Sequence, residues 1–156
     1  MVERQPSSRN CFLCGRDNPV SLRVVWENDR KRNQIRTTVT VDEQYNGYPG
    51  VVHGGVVAAL LDETAGRAIM LEAGGDEFMV TLKLEVHYRR PTPTLTPLTV
   101  VGWVERRTAN RAHVAGEIRL PDGTVTAACT AVVVRPPAEF FAAWMAEREH
   151  WRVDEA

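Results

Sequence analysis

Gly50-Val51-Val52-His53-Gly54-Gly55-Val56-Val57-Ala58-Ala59-Leu60-Leu61-Asp62-Glu63 joins a glycine-rich turn to an apolar segment that carries two carboxylates. The pattern predicts a helix from about Gly54 to Glu72, stopped by Gly74-Gly75. Nearly every face of that helix is apolar, so it belongs inside the molecule. At its start up to four backbone N–H groups lack intrahelical partners. The helix dipole adds partial positive charge at the same end. Glycine at 54 and 55 lets a ligand oxygen approach those donors closely. Asp62 follows about two turns later, roughly 12 Å along the axis.

Outward from the helix the chain reads as β-structure. Leu22, Val24 and Trp26 are apolar at every second position and predict a strand. Glu27 to Asn33 is a charged turn, after which Ile35, Thr37, Val39 and Val41 alternate with Arg36, Thr38 and Thr40 to complete a hairpin. Asp42 to Gly50 is a loop. Downstream, Leu82, Leu84, Val86 and Tyr88 alternate with Thr81, Lys83, Glu85 and His87, and the strand stops at Arg89-Arg90-Pro91. Leu98 to Arg107, Arg111 to Leu120 and Val125 to Val134 supply three more strands, the last two joined by the Pro121-Asp122-Gly123 turn. The order is strand, strand, long buried helix, then four strands, an α+β arrangement in which one sheet wraps around the helix. Such a sheet leaves an edge and an apolar side, which argues for dimerisation.

The chain has 156 residues, enough for one domain with a real core. Hydrophobic residues make up 44% and charged residues 25%, as in an ordinary globular protein. With a net charge of −1, nothing in the composition suggests a nucleic-acid surface. No apolar run approaches the roughly 20 residues of a membrane span. Met1 to Pro6 lack an apolar signal core, so a cytoplasmic location is expected, with neither membrane nor nucleic acid as partner. Three cysteines do not make a disulfide framework. Cys11-x-x-Cys14 is half a zinc site at best, and no metal is expected. Residues 1–20 form a turn-rich lead-in, polar and loose over the first ten. Residues 21–136 form the main domain and 137–156 a helical tail. In the tail Phe140, Phe141, Trp144 and Trp151 fall near one face, to be packed on the domain or on a neighbour.

Over about residues 20–135 the chain resembles the hotdog-fold acyl-CoA thioesterases, in the group of phenylacetyl-CoA and 4-hydroxybenzoyl-CoA thioesterases. The residues that carry the resemblance are Gly50-x-x-His53-Gly54-Gly55, Asp62 nine positions after the histidine, and Tyr88-x-x-Pro91 closing the next strand. The resemblance implies a curved antiparallel sheet around one central helix, assembled as homodimers or dimers of dimers with sites between subunits. It implies a thioester hydrolase acting on an acyl-CoA, with coenzyme A entering only as part of the substrate and no cofactor. Gly54 would give the oxyanion N–H, Asp62 would be the catalytic carboxylate, and Thr81 would assist the attacking water. Relatives tend to place Asn or Gln six residues before the histidine. Here that position is Gly47, with Asn46 one residue off.

The residues themselves leave alternatives open. Asp62 has Ala58 and Gly66 at i−4 and i+4, so no local cation offsets it; it is catalytic or salt-bridged to another subunit. Glu63 has Arg67 at i+4, the favourable order for a helical ion pair, and is the second candidate carboxylate. His53 caps the loop or orients a carbonyl; Thr81 is functional or simply a β-branched strand residue. Asn46, Gly55, Val57 and Leu61 are candidates for the acyl pocket. Arg89 and Arg90, with Arg106, Arg107 and Arg111, are candidates for the phosphates of coenzyme A, since guanidinium forks match phosphate geometry. A hotdog hydratase or dehydratase, which needs a paired histidine and acid, and an acyl-CoA-binding protein without turnover are the competing readings.

Overall fold

The computed structural model describes residues 2–74 and 77–153. In chain order it contains β1 (Glu3–Arg4), β2 (Glu27–Asp29), β3 (Gln34–Thr40), β4 (Asn46–Tyr48), β5 (Val51–Val52), α1 (Gly54–Ala73), β6 (Val80–Tyr88), β7 (Pro97–Arg107), β8 (Arg111–Arg119), β9 (Val125–Val134) and α2 (Ala138–Ala146). Seven strands form one antiparallel sheet in the order β1-β2-β3-β7-β8-β9-β6, and β4 and β5 make a small separate ribbon. Helix α1 lies against β3, β6, β7, β8 and β9. This is the α+β hotdog arrangement, one long helix packed on a large antiparallel sheet. No helix among the described residues is long and apolar enough to cross a membrane.

Strand alternation places the core. In β3, Ile35, Thr37 and Val39 point inward while Arg36, Thr38 and Thr40 face out. Buried Thr37 keeps its hydroxyl satisfied by donating to Val25 O at 2.7 Å. Helix α1 ends at Gly74, whose φ of 82° is one that side chains rarely adopt; Gly75 lies outside the described residues. The four strands after the helix begin and end within a residue of the positions read from alternation.

The helix and sheet approach most closely where β7 and β8 each carry a glycine. Gly102 and Gly116 are directly paired. A Cβ on Gly102 would sit 2.8 Å from Thr64 Cβ, and one on Gly116 would sit 2.9 Å from Thr64 Oγ1. Thr64 is fully buried and donates its hydroxyl to Leu61 O at 2.5 Å, so it has no room to yield. The two glycines form a recess that seats the middle of the helix.

Two expectations are corrected near the N-terminus. The segment 22–26 is not a strand, although its alternation is real and Val24 and Trp26 are buried. Its N–H groups are diverted: Leu22 N donates to Phe12 O and Val24 N to Leu13 O. Arg23 sits at φ 51°, which breaks any ladder. Pairing begins only at Glu27, inside the stretch expected as a turn. The first ten residues are also not loose. β1 adds an edge strand, and Gln5 and Ser7 are buried. Gln5 Nε2 donates to Arg67 O at 2.9 Å, tying this segment to the face of α1 away from the sheet.

Gly102→Ala is expected to destabilise the protein by about 1–3 kcal/mol through overpacking against Thr64. Gly66→Ala, where a Cβ meets nothing within 4 Å, is expected to stabilise it by roughly 0.5–1 kcal/mol through helix propensity. Urea unfolding of both variants checks this; a Gly102→Ala protein as stable as wild type would mean that the recess does not constrain the helix.

Candidate active site

Asp62 lies in the third turn of α1, half-buried, and its Oδ1 accepts a 2.6 Å hydrogen bond from Thr81 Oγ1. Thr81 stands near the start of β6, where the ladder with β9 slips. Thr81 pairs with Val133 but Lys83 with Val132, so Leu82 is an extra residue. A bulge of this kind re-aims neighbouring side chains. Among the described residues no cation pairs with Asp62, because Arg67 is taken by Glu63 at 3.0 Å. Asp62 is left with a hydroxyl donor and free lone pairs, the state of a carboxylate able to accept a proton or attack.

The helix start accounts for its orphan donors one by one. His53 is the N-cap, and its Nδ1 accepts from Gly55 N at 2.9 Å, which places the neutral ring's proton on Nε2. Val56 N and Val57 N both donate to His53 O. Of the first four N–H groups, only that of Gly54 has no acceptor among the described residues. Gly54 is exposed, and Tyr88 Oη donates to its carbonyl at 2.7 Å. The motif residues Gly54 and Tyr88, far apart in sequence, therefore meet at one point.

Asp62, Thr81 and Glu63 open onto a cleft of about 710 Å³. Its floor includes Gly66 and Met70 of α1 together with Met79. Its roof is aromatic: Phe78 makes edge contacts with Trp144 at 6.0 Å and Trp151 at 5.5 Å, and Phe141 with Trp144 at 5.9 Å. The tail thus packs on its own domain. The aromatic spacing was visible in the sequence, but its destination was not, since Phe78 and the tail are joined only by the fold. Cys11 and Cys14 line the same cleft. A proton shared from the Cys11 thiol, with Arg67 alongside, lowers the Cys14 pKa to about 6, and the same sharing raises that of Cys11.

Other candidates fall elsewhere. Val57 and Leu61 are 2% and 0% exposed in the core and do not line the cleft. His53, Gly54 and Gly55 lie at the other end of the helix segment from it. Asn46 donates to Glu43 Oε2 at 2.9 Å. Arg89 and Arg90 are exposed at the end of β6, their backbone N–H groups held by Thr126 O. Arg107 is engaged by Glu77 at 2.8 Å, Arg106 lies 3.5 Å from His113 Nε2, and Arg111 is exposed. Arg67, by contrast, is 2% exposed and satisfied on every side: by Glu63, by Pro6 O at 2.5 Å, by Cys14 Sγ at 3.1 Å, and by the Trp151 ring at 4.9 Å.

A half-buried helix carboxylate bonded to a threonine, a glycine N–H without an acceptor among the described residues and an antiparallel sheet packed on one helix occur together in this chain. Residues 49–127 match the family model of the thioesterase superfamily, and the chain belongs to that family. A solved thioesterase superfamily protein is 36% identical and superimposes with a TM-score of 0.73, covering 81% of this chain and 60% of that one. The Escherichia coli PaaI protein from the phenylacetic acid degradation operon shares the fold at 18% identity and a TM-score of 0.62, over 73% of this chain and 78% of its own. Acyl-coenzyme A thioesterase THEM4 of Rattus norvegicus is 30% identical over 76 residues, 49% of this chain. That match spans 31% of the relative's own length.

Arg67→Ala is expected to cost on the order of 3 kcal/mol, because Glu63, the Pro6 carbonyl and Cys14 lose one shared partner. Urea unfolding measures this; a loss below about 1 kcal/mol would mean that the N-terminal segment is held by other contacts.

Proposed function

We propose that the protein hydrolyses an acyl-CoA thioester to the free acid and coenzyme A, as a homodimer or dimer of dimers. The observation that carries this reading is the Asp62–Thr81 pair at 2.6 Å, open to an apolar cleft, in a chain whose helix start keeps one N–H free at Gly54. The thioester carbonyl accepts from the Gly54 N–H as negative charge develops on its oxygen, a contribution of about 3–4 kcal/mol for such a donor. Asp62 then either takes a proton from a water that attacks the carbonyl carbon and expels the CoA thiolate, or attacks that carbon itself, expelling the thiolate to form an anhydride that water hydrolyses to the free acid. Thr81, donating to one carboxylate oxygen, fixes the direction of the other. Water and protein groups suffice for this chemistry.

Within one chain Gly54 and Asp62 lie roughly 12 Å apart along a single helix, too far to serve one carbonyl. A second subunit that sets its Asp62 beside this subunit's Gly54 resolves the distance. The outer strand β6 supports such pairing: among the described residues it is an unpaired edge, with Leu82 60% and Tyr88 55% exposed. The acyl group is aromatic, short-chain or medium-chain; the aromatic roof of the cleft is compatible with each. Of the competing readings, a hydratase or dehydratase is disfavoured because His53 spends Nδ1 on capping Gly55. Release of free thiol from a panel of acyl-CoA esters separates hydrolase from binder, and the absence of release with every ester would remove the hydrolase reading.

Asp62→Asn is nearly isosteric, so folding should be retained while turnover falls at least about 100-fold. Near-normal kcat in this variant would transfer the role away from Asp62.

The shared site has its own test. Asp62→Asn subunits mixed and exchanged with Gly54→Val subunits should recover about a quarter of wild-type activity, since half the dimers are mixed and each then holds one intact site. Mixtures as inactive as either parent would place both groups in the same chain's site.

A further inference from the structure

The catalytic reading leaves the Cys11-x-x-Cys14 motif unused, yet the fold brings a third donor to it. Cys11 Sγ, Cys14 Sγ and a Glu63 carboxylate oxygen all lie within 4.8 Å of one another. We propose that these three groups bind a zinc ion that pins the N-terminal segment to helix α1.

The local chain is built to present both thiols together. Gly15 N donates to Cys11 O at 2.8 Å, closing the turn. A Cβ at position 15 would lie 2.4 Å from Cys11 O, so this turn admits only glycine. Leu13 N donates to Cys11 Sγ at 3.3 Å, and Arg67 Nη2 to Cys14 Sγ at 3.1 Å. Each sulfur therefore has a donor that favours the thiolate and stays in place when a metal binds. C-x-x-C is the ligand spacing of zinc knuckles, and thiolate with carboxylate suits this borderline-soft cation.

Distance and charge both fit. With Zn–S near 2.3 Å, tetrahedral geometry sets two sulfurs roughly 3.8 Å apart, so the cluster needs to close by about 1 Å at most. Glu63 spends Oε1 on Arg67 and keeps Oε2 for the ion. Two thiolates and a carboxylate exceed the charge of the dication by one, and Arg67, 2% exposed, supplies the missing positive charge. The cluster lines the open cleft, which gives the ion a path in and water a place in the fourth position. The site neither needs the hydrolase reading nor supplies a step to it.

The test is zinc binding by the full chain, purified under reductant, stripped with chelator and titrated against a chromophoric zinc competitor. One zinc per chain is expected, with a melting temperature that rises as zinc is added. Cobalt substitution should give thiolate-to-metal charge-transfer absorption, which an adventitious surface ion does not. Cys11→Ser and Glu63→Gln should each weaken binding at least about tenfold. Glu63→Gln is the decisive variant, because a glutamine can still accept from Arg67 and its circular dichroism should match wild type. Cys129→Ala, in the core and outside the cluster, should bind as wild type does. No binding at about 10 μM free zinc, or undiminished affinity in Glu63→Gln, would overturn the site.

Discussion

The seating of Thr64 on the paired glycines Gly102 and Gly116 is the constraint from which the other placements follow. A helix packed this close to two central strands cannot slide or rotate without driving a side chain into backbone. Its polar residues are therefore fixed by where the recess sits. Asp62 and Glu63 lie just before Thr64 and emerge along the side of the helix, at the mouth of the cleft. Gly54 is fixed at the far end, beside Tyr88. Protein interiors resist changes of even one methylene, so two missing methyl groups are a strong positional signal.

The second organising element is Arg67. A guanidinium at 2% exposure would be costly alone, but its neighbours supply a carboxylate, a carbonyl, a thiol and an aromatic face. Those partners come from α1, from residues 6 and 14, and from the tail at Trp151. One side chain thus joins three distant parts of the sequence on the face of the helix that the sheet does not cover. This is how a chain with one core helix covers both of its sides.

Much of this fold was legible beforehand because period-2 and helical apolar patterns report burial directly. The helix limits and the last four strands follow from them. So did the Glu63–Arg67 pair, since i,i+4 neighbours meet on any helix. Reading failed where pairing depended on non-local acceptors: Leu22 and Val24 alternate as a strand does, yet carbonyls of the cysteine turn take their N–H groups. Asp62 and Thr81 were singled out separately in the sequence; that they touch, beside the bulge at Leu82, had no signal there. Val57 and Leu61 were assigned to a pocket because they are apolar and near the motif, but apolar residues beside a site and apolar residues in a core look alike in sequence. The cleft itself, closed by Phe78 and the tail, had no local signal.

The aromatic roof divides labour along the chain. Asp62 and Thr81 sit on elements locked by the sheet, whereas the opposite wall comes from α2, whose residues are almost all exposed and which is joined to the body mainly through edge contacts around Phe78. Substitutions in α2 can therefore reshape the volume facing the carboxylate with little penalty to the folded body. Variation in what fits the cleft can accumulate in α2 while the Asp62–Thr81 pair stays unchanged, so a lineage of such chains can change the shape of the cleft without disturbing that pair.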